Sequence, residues 1–228
     1  MTIAKNDFEQ LLNQARVTLV GSSDAGLKGA FFDVCSEFLN DSSSWTQDVQ
    51  VNAVPTRRNY PLQVNEGQVI RLVGVFTPPT PDGLPANVAS DPGGIPVPAL
   101  MPDVGTLLLA YAPNAATTYI AQVVTNVALP TDRTGVPIGP DWLVPVWHVG
   151  LLDGLLGKMM MQPGKSYSDK ITGAYHLKRF RDVIARARVS KLRASTNGAT
   201  AWRFPQSFRA NTQQGGVPST GSTNERTF

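Results

Sequence analysis

The stretch WLVPVWHVGLLDGLLGKMMM, residues 142–161, decides the fold. Its large apolar side chains recur at helical intervals, and Asp141 just before it is a residue type that caps helices. The stretch is nearly long enough to span a membrane, but it contains Pro145, Asp153 and Lys158. A charge inside a bilayer costs about 2.5–3.5 kcal/mol on insertion scales. We therefore expect a buried bundle helix and no contact with a membrane.

Three glycines interrupt this predicted helix on one flank. Gly150, Gly154 and Gly157 are three or four residues apart, so they share a face and leave it without side chains. Another helix can therefore approach closely there. A last helix is predicted at about residues 169–195 after the break at Gln162, Pro163 and Gly164. Its expected buried seam consists of Leu177, Phe180, Ile184 and Ala187.

Two shorter amphipathic helices open the chain. Asp7 and Gln10 have the spacing of a capping box at the start of a first helix, about residues 8–20. The Ser-Ser-Asp segment at 22–24 can cap a second helix. Neither the first nor the last pair of helices covers its own apolar stripe. We therefore expect all four helices to pack as one bundle.

Between these helices the apolar pattern changes to that of β-strands. Short runs rich in β-branched and aromatic residues predict five or six antiparallel strands. The runs are 49–51, 68–76, 107–112 and 117–129. Residues 77–102 hold eight of the 18 prolines and lack the period of any element, so they predict a projecting loop.

The predicted fold class is therefore α+β. Residues 1–44 and 140–197 are expected to form the helical bundle, and residues 45–139 an inserted antiparallel β-domain with the Pro-rich loop 77–102. Residues 198–228 are expected to form an extended C-terminal arm.

Residues typical of catalysis or metal binding do not form a recognisable pattern. The sequence has no Gly-rich phosphate loop, no GxSxG, no HExxH and no paired CxxC. His148 and His176 lie on different predicted helices, where a packed or interfacial histidine is the ordinary interpretation. Cys35 stands alone on an apolar helix, which excludes a disulfide framework. We expect no catalytic residues, no cofactor and no metal, and a protein that is not an enzyme.

Charge is distributed unevenly along the chain. Residues 1–157 hold 7 basic and 14 acidic side chains, whereas residues 158–209 hold 12 basic and 2 acidic ones. In the last helix, residues 175–193 carry seven Lys or Arg against one acid, Asp182. Copies of the chain could therefore complement one another, or an acidic partner, end to end.

Four cations of the last helix fall on one side of its apolar seam at 100° per residue. We call them the basic ridge, and it is about 20 Å long from the helical rise. They are Lys178, Arg179, Arg186 and Arg193. The ridge could face solvent, the phosphates of DNA or an acidic protein surface. The near absence of acids disfavours a plain solvated face, because solvated helices gain from pairs of opposite sign. The sequence contains no pattern for base-specific DNA recognition, so contact with DNA would be non-specific.

Aromatic residues follow this helix in ATAWRFPQSFRA, residues 199–210. Three large apolar side chains around a proline cannot bury themselves, so the bundle of the same chain or a partner must receive them. The anchors of this proposed docking arm are Trp202, Arg203, Phe204, Phe208 and Arg209. Their composition is that of an interface, which favours a partner.

These segments together resemble a known family, the head-to-tail adaptor or connector proteins of short-tailed bacteriophages, often called tail tubular protein A. The resemblance extends over about residues 6–209 and rests on the order of elements and the character of the segments. The segments are FEQLLNQARVTLVGSSDAGLKGAFFDVCSEFLND, RNYPL, PDWLVPVWHVGLLDGLLGKMM, SYSDKITGAYHLKRFRDVIARARVSKLR and AWRFPQSFR. None of them is diagnostic alone.

The resemblance implies a structural virion protein at the head-tail junction, assembled in the host cytoplasm. It implies a homo-oligomeric ring of about twelve copies that connects the portal to the tail nozzle and encloses the channel for genome ejection. The expected partners are therefore other copies, the portal, the nozzle and genomic DNA bound without sequence specificity. The alternative is a DNA-binding or packaging accessory protein that uses the basic helix 175–193.

Overall fold

The computed structural model describes residues 3–77, 96–129 and 135–195. The described part begins with two helices, α1 (Lys5–Thr18) and α2 (Asp24–Ser42), and its last two helices are α3 (Leu143–Met160) and α4 (Lys170–Ser195). Between these two pairs, the described residues form seven strands. They are β1 (Thr46–Ala53), β2 (Asn59–Pro61), β3 (Gln68–Phe76), β4 (Pro96–Val97), β5 (Ala99–Asp103), β6 (Thr106–Leu109) and β7 (Thr117–Asn126). The predicted α+β class, with helices flanking an antiparallel β-region, is confirmed.

The four helices share one hydrophobic core. Phe8 of α1, Phe31 of α2, Leu155 of α3 and Phe180 of α4 are fully buried in it. The rings of Phe8 and Phe31 meet edge to face at 5.2 Å. Trp45 also packs into this core from the start of the β-region. The first and last helices therefore complete each other, as their unpaired apolar stripes predicted.

The glycine flank of α3 receives α4 and α2. A Cβ on Gly150 would lie 2.5 Å from Cγ1 of Val183, and one on Gly157 would lie 2.8 Å from Cγ of Leu177. These distances are shorter than any relaxed carbon contact. The close approach predicted from the glycine spacing is confirmed. Leu177 is half-buried over this flank, while the other three residues of the predicted seam are fully buried.

The strands form two sheets around a second core. The first has the order β1-β7-β3-β4, and the second has the order β2-β6-β5. Every pairing between neighbours is antiparallel. Val51, Ala121 and Val123 of the first sheet are buried with Tyr60 and Leu107 of the second, so the two sheets pack face to face.

Two helix starts differ from the prediction. Helix α1 begins at Lys5 with Ala4 as its N-cap and no side-chain capping bond, so the capping box at Asp7 and Gln10 is wrong. Helix α3 has Trp142 rather than Asp141 as its N-cap, also without a side-chain bond. At α2 the expected cap is present, because Ser23 Oγ accepts the N–H of Gly26 at 3.2 Å.

The predicted Pro-rich loop 77–102 ends earlier than expected. Strands β4 and β5 form within it because an antiparallel pairing with β3 and β6 overrides the local proline content. Pro96 begins its strand and pairs with Phe76 at the sheet edge, where the missing N–H of proline is tolerated. Residues 78–95 of the loop lie outside the described residues.

In the described parts of the chain, no helix is long and apolar enough to cross a bilayer.

Candidate interaction surfaces

Helix α4 begins at a side-chain cap, Asp169. Its Oδ1 accepts the N–H groups of Ile171 at 3.0 Å and Thr172 at 3.1 Å, and its Oδ2 accepts the Thr172 hydroxyl at 2.7 Å. These bonds lower the pKa of the Asp169 carboxyl from its ordinary value, and the bond from the Thr172 hydroxyl has the largest effect. The cap fixes where α4 starts and therefore which of its residues face outward.

A buried acid on α3 fixes the rotation of α4 about its own axis. The side chain of Asp153 is only 7% exposed, and its Oδ1 lies 2.8 Å from Nδ1 of His176. Its Oδ2 lies 3.2 Å from Nε of Arg179. A buried carboxylate requires such partners, since leaving it unpaired would cost far more than the pair contributes. The contact therefore orients the ridge with respect to the bundle.

Asp153 was not identified as a site residue from the sequence, where it counted only as a charge within the apolar stretch 142–161. It is the only acid in the apolar α3 segment. That isolation among buried residues is the signal that could have identified it. His176 is packed, as predicted, and its packing partner is this acid.

The four ridge residues are exposed on α4 but differ in their surroundings. Arg179 is held by Asp153 and also lies over the ring of Tyr175, with 5.8 Å to the ring centre. Arg186 lines the same groove as Arg179. Arg186 and Arg193 line the next depression along the helix. Lys178 lines neither depression.

The groove beside the ridge lies between α4 and the first half of α3 and has a volume of about 360 Å³. Val146 and Val149 of α3 are each 61% exposed at this groove. The groove therefore combines two cations and exposed apolar side chains with two acids, Asp153 and Asp182. Such a composition is typical of protein interfaces rather than of solvated helices.

Apolar side chains are exposed elsewhere on α4 as well. Ile171 is 86% exposed, and Tyr175, Val189 and Leu192 are also exposed. Single exposed apolar residues are common, but here several of them share one helix with the basic ridge.

A second cationic surface lies at the C-terminal end of α4. Arg188 donates to the carbonyl of Asp41 with Nε at 3.0 Å, and Lys191 donates to Thr46 Oγ1 at 2.8 Å. Arg71 of β3 donates to Ser43 Oγ. These three cations line a cleft of about 690 Å³ between α2, α4 and the first sheet, which we call the cationic cleft. It was not predictable from the sequence, because its three cations come from two elements that are distant along the chain.

The predicted anchors of the docking arm, Trp202, Arg203, Phe204, Phe208 and Arg209, lie outside the described residues.

Over residues 3–77, 96–129 and 135–195, no three His, Cys, Asp or Glu side chains are close enough to hold a metal ion together.

No protein-family model matches this chain, and a search of curated proteins finds no match either.

Proposed function

We propose that this chain is the structural subunit of a homo-oligomeric ring that connects a phage portal to the tail and encloses the DNA exit channel. The observation that carries the proposal is the outer surface of α4, where the cations of the basic ridge occur together with exposed apolar side chains. The resemblance of the segments and of their order to the adaptor family supplies the identity of the partners. Membrane contact and catalysis have no part in it.

The distribution of charge supports assembly from identical copies. Helix α4 carries a single acid, Asp182, among its 26 residues. Asp7 and Glu9 lie on α1, which packs against α3, and Asp33 lies on α2. A ring of identical subunits needs two different complementary surfaces on each copy. Acidic and basic parts on separate helices can supply them.

A second function is favoured by two specific residues. Lys178 and Arg186 have no carboxylate partner within the described part of the chain, so both could contact phosphate. This is the basis for a non-specific DNA-binding or packaging accessory protein. The protein partner is favoured because a strong phosphate clamp along the channel would hinder DNA ejection.

The paired variant Lys178→Glu with Arg186→Glu separates the two functions. If the ridge contacts an acidic protein rim, attachment to the purified portal weakens about tenfold or more, because like charges then face each other across the interface. Size-exclusion chromatography with the portal measures this loss. Circular dichroism checks that the helices remain folded.

The matched control is Lys5→Glu with Lys165→Glu, which changes the net charge equally at exposed positions outside α4. It should attach as the original chain does. Unchanged portal attachment by the ridge variant, together with lost and steeply salt-dependent binding to duplex DNA, would contradict the protein-partner proposal and favour the alternative.

A further inference from the structure

The cationic cleft carries positive charge that its own surroundings do not neutralise. Arg71, Arg188 and Lys191 each donate to a carbonyl or hydroxyl oxygen. In the part of the chain that the structure describes, none of the three forms an ion pair with a carboxylate. Among the described residues of the lining, Asp41 is the only acid, so cations outnumber acids there. The cleft is therefore ready to receive an anionic group.

The cleft also offers apolar surface. Val73 of β3 is 53% exposed, and Leu192 of α4 is exposed beside it. Phosphate groups of DNA would gain nothing from these side chains. An acidic group attached to an apolar one would use both parts of the cleft, which indicates a protein segment as its occupant.

A segment of matching chemistry lies at the turn between β5 and β6. Asp103 pairs with Thr106, so Val104 and Gly105 form a two-residue turn, and we call Asp103 and Val104 the hairpin tip. Asp103 is exposed, and Val104 is 66% exposed. The described residues offer no partner to the Asp103 carboxylate.

The hairpin tip is held in place by the backbone. Gly105 has a φ of 79°, a conformation that glycine adopts without strain. Its carbonyl accepts the N–H of Leu62 at 2.7 Å, and Leu62 is buried in the core between the sheets. A fixed tip loses little conformational freedom on binding, which favours its use as a docking element.

The tip and the cleft lie on opposite sides of the β-region. Side chains alternate along β7, so Ala121 and Val123 face the core shared with the second sheet, while Gln122 and Val124 face the cleft. The second sheet carries the tip, and it covers the face of the first sheet that bears Ala121 and Val123. The tip of a chain therefore cannot reach its own cleft.

We propose that the hairpin tip of one copy inserts into the cationic cleft of the next, with Asp103 meeting Arg71 and Lys191 and with Val104 meeting Val73 and Leu192. This inference rests on the proposed ring, because it assigns the contact between its subunits. A contact between two different surfaces on opposite sides repeats from copy to copy, so it builds a ring when the rotation closes.

A cysteine pair tests the contact by proximity. In the variant Val73→Cys with Val104→Cys, mild oxidation of the concentrated full-length chain should give covalent oligomers that extend beyond the dimer on non-reducing gels. Burial raises the pKa of the Cys35 thiol, which therefore does not compete. Each single variant should stop at the dimer. Val17→Cys with Val104→Cys, which moves one cysteine to the exposed side of α1, should form such oligomers far more slowly, because only random collisions bring its cysteines together.

A charge exchange tests the complementarity. Asp103→Lys and Lys191→Glu should each weaken self-association about tenfold or more, measured by sedimentation. An equimolar mixture of the two variants should recover it, because every interface of an alternating ring is again complementary. Arg71→Glu serves as a second cleft variant if Lys191→Glu does not fold. Asp141→Lys, an exposed acid elsewhere, is the control and should leave self-association unchanged.

These results separate this inference from the proposed function. Rings of the original chain on the portal without cross-linked oligomers in the cysteine pair would overturn the inference alone. Cross-linked oligomers without any portal attachment would support the inference and contradict the proposed function. Cleft variants that lose only portal attachment, with self-association intact, would assign the cleft to the portal and also overturn the inference.

Discussion

Replacing Gly154 by alanine is expected to lower the free energy of unfolding by about 1–3 kcal/mol, the usual cost of overpacking a closely packed core. A Cβ at this position would lie 2.8 Å from Cγ1 of Val34 and 2.9 Å from Cδ2 of Phe180. Both neighbours are completely buried, so neither can move aside without disturbing the core. Chemical denaturation followed by circular dichroism measures the change.

Gly29→Ala is the matched control for this substitution. Gly29 also lies inside a helix, but a Cβ there would meet nothing within 4 Å. Alanine should therefore stabilise the chain by about 0.5–1 kcal/mol through its higher helix propensity. The same chemical change thus has opposite signs at the two positions. Equal effects at both would contradict the close packing of α2, α3 and α4 around Gly154.

Removing residues 199–228 is expected to abolish attachment to the portal and to leave the fold intact. Every described member of the helical core lies at or before Ala187, ahead of the removed segment. The aromatic anchors Trp202, Phe204 and Phe208 would be lost together, and aromatic anchors dominate the binding energy of interfaces. Circular dichroism and portal co-sedimentation measure the two outcomes separately.

A variant in which only Trp202, Phe204 and Phe208 are replaced by serine keeps the length of the chain and should behave as the truncation does. If either variant unfolds, the aromatic residues belong to the core of their own chain. If both stay folded and still bind the portal, the docking role of the segment is wrong.

The periodic parts of the fold were predictable because periodicity reports burial. Phe180, Ile184 and Ala187 lie on one side of α4 at helical spacing, and all three are buried. The glycine flank was predictable for the same reason, since Gly150, Gly154 and Gly157 share a face. The start of α1 was not predictable, because its N-cap, Ala4, has no side chain that could form a capping bond, and no sequence motif therefore marks it.

Strands β4 and β5 were not predicted, because they form only by pairing with other strands. Pro96 and Pro98 argue locally for a loop, and only the partner strands β3 and β6 make a ladder possible. The interaction surfaces divide in the same way. The exposure of the ridge on α4 followed from helical geometry, whereas the cationic cleft joins Arg71 to residues more than a hundred positions away, Arg188 and Lys191.

Negative-stain electron microscopy of the purified full-length chain mixed with the portal tests the central claim most directly. After mixing, we expect a closed ring of this chain stacked on one end of the portal, with a continuous central channel. A chain that remains a single, separate particle in the presence of the portal and of every other virion component would contradict the account.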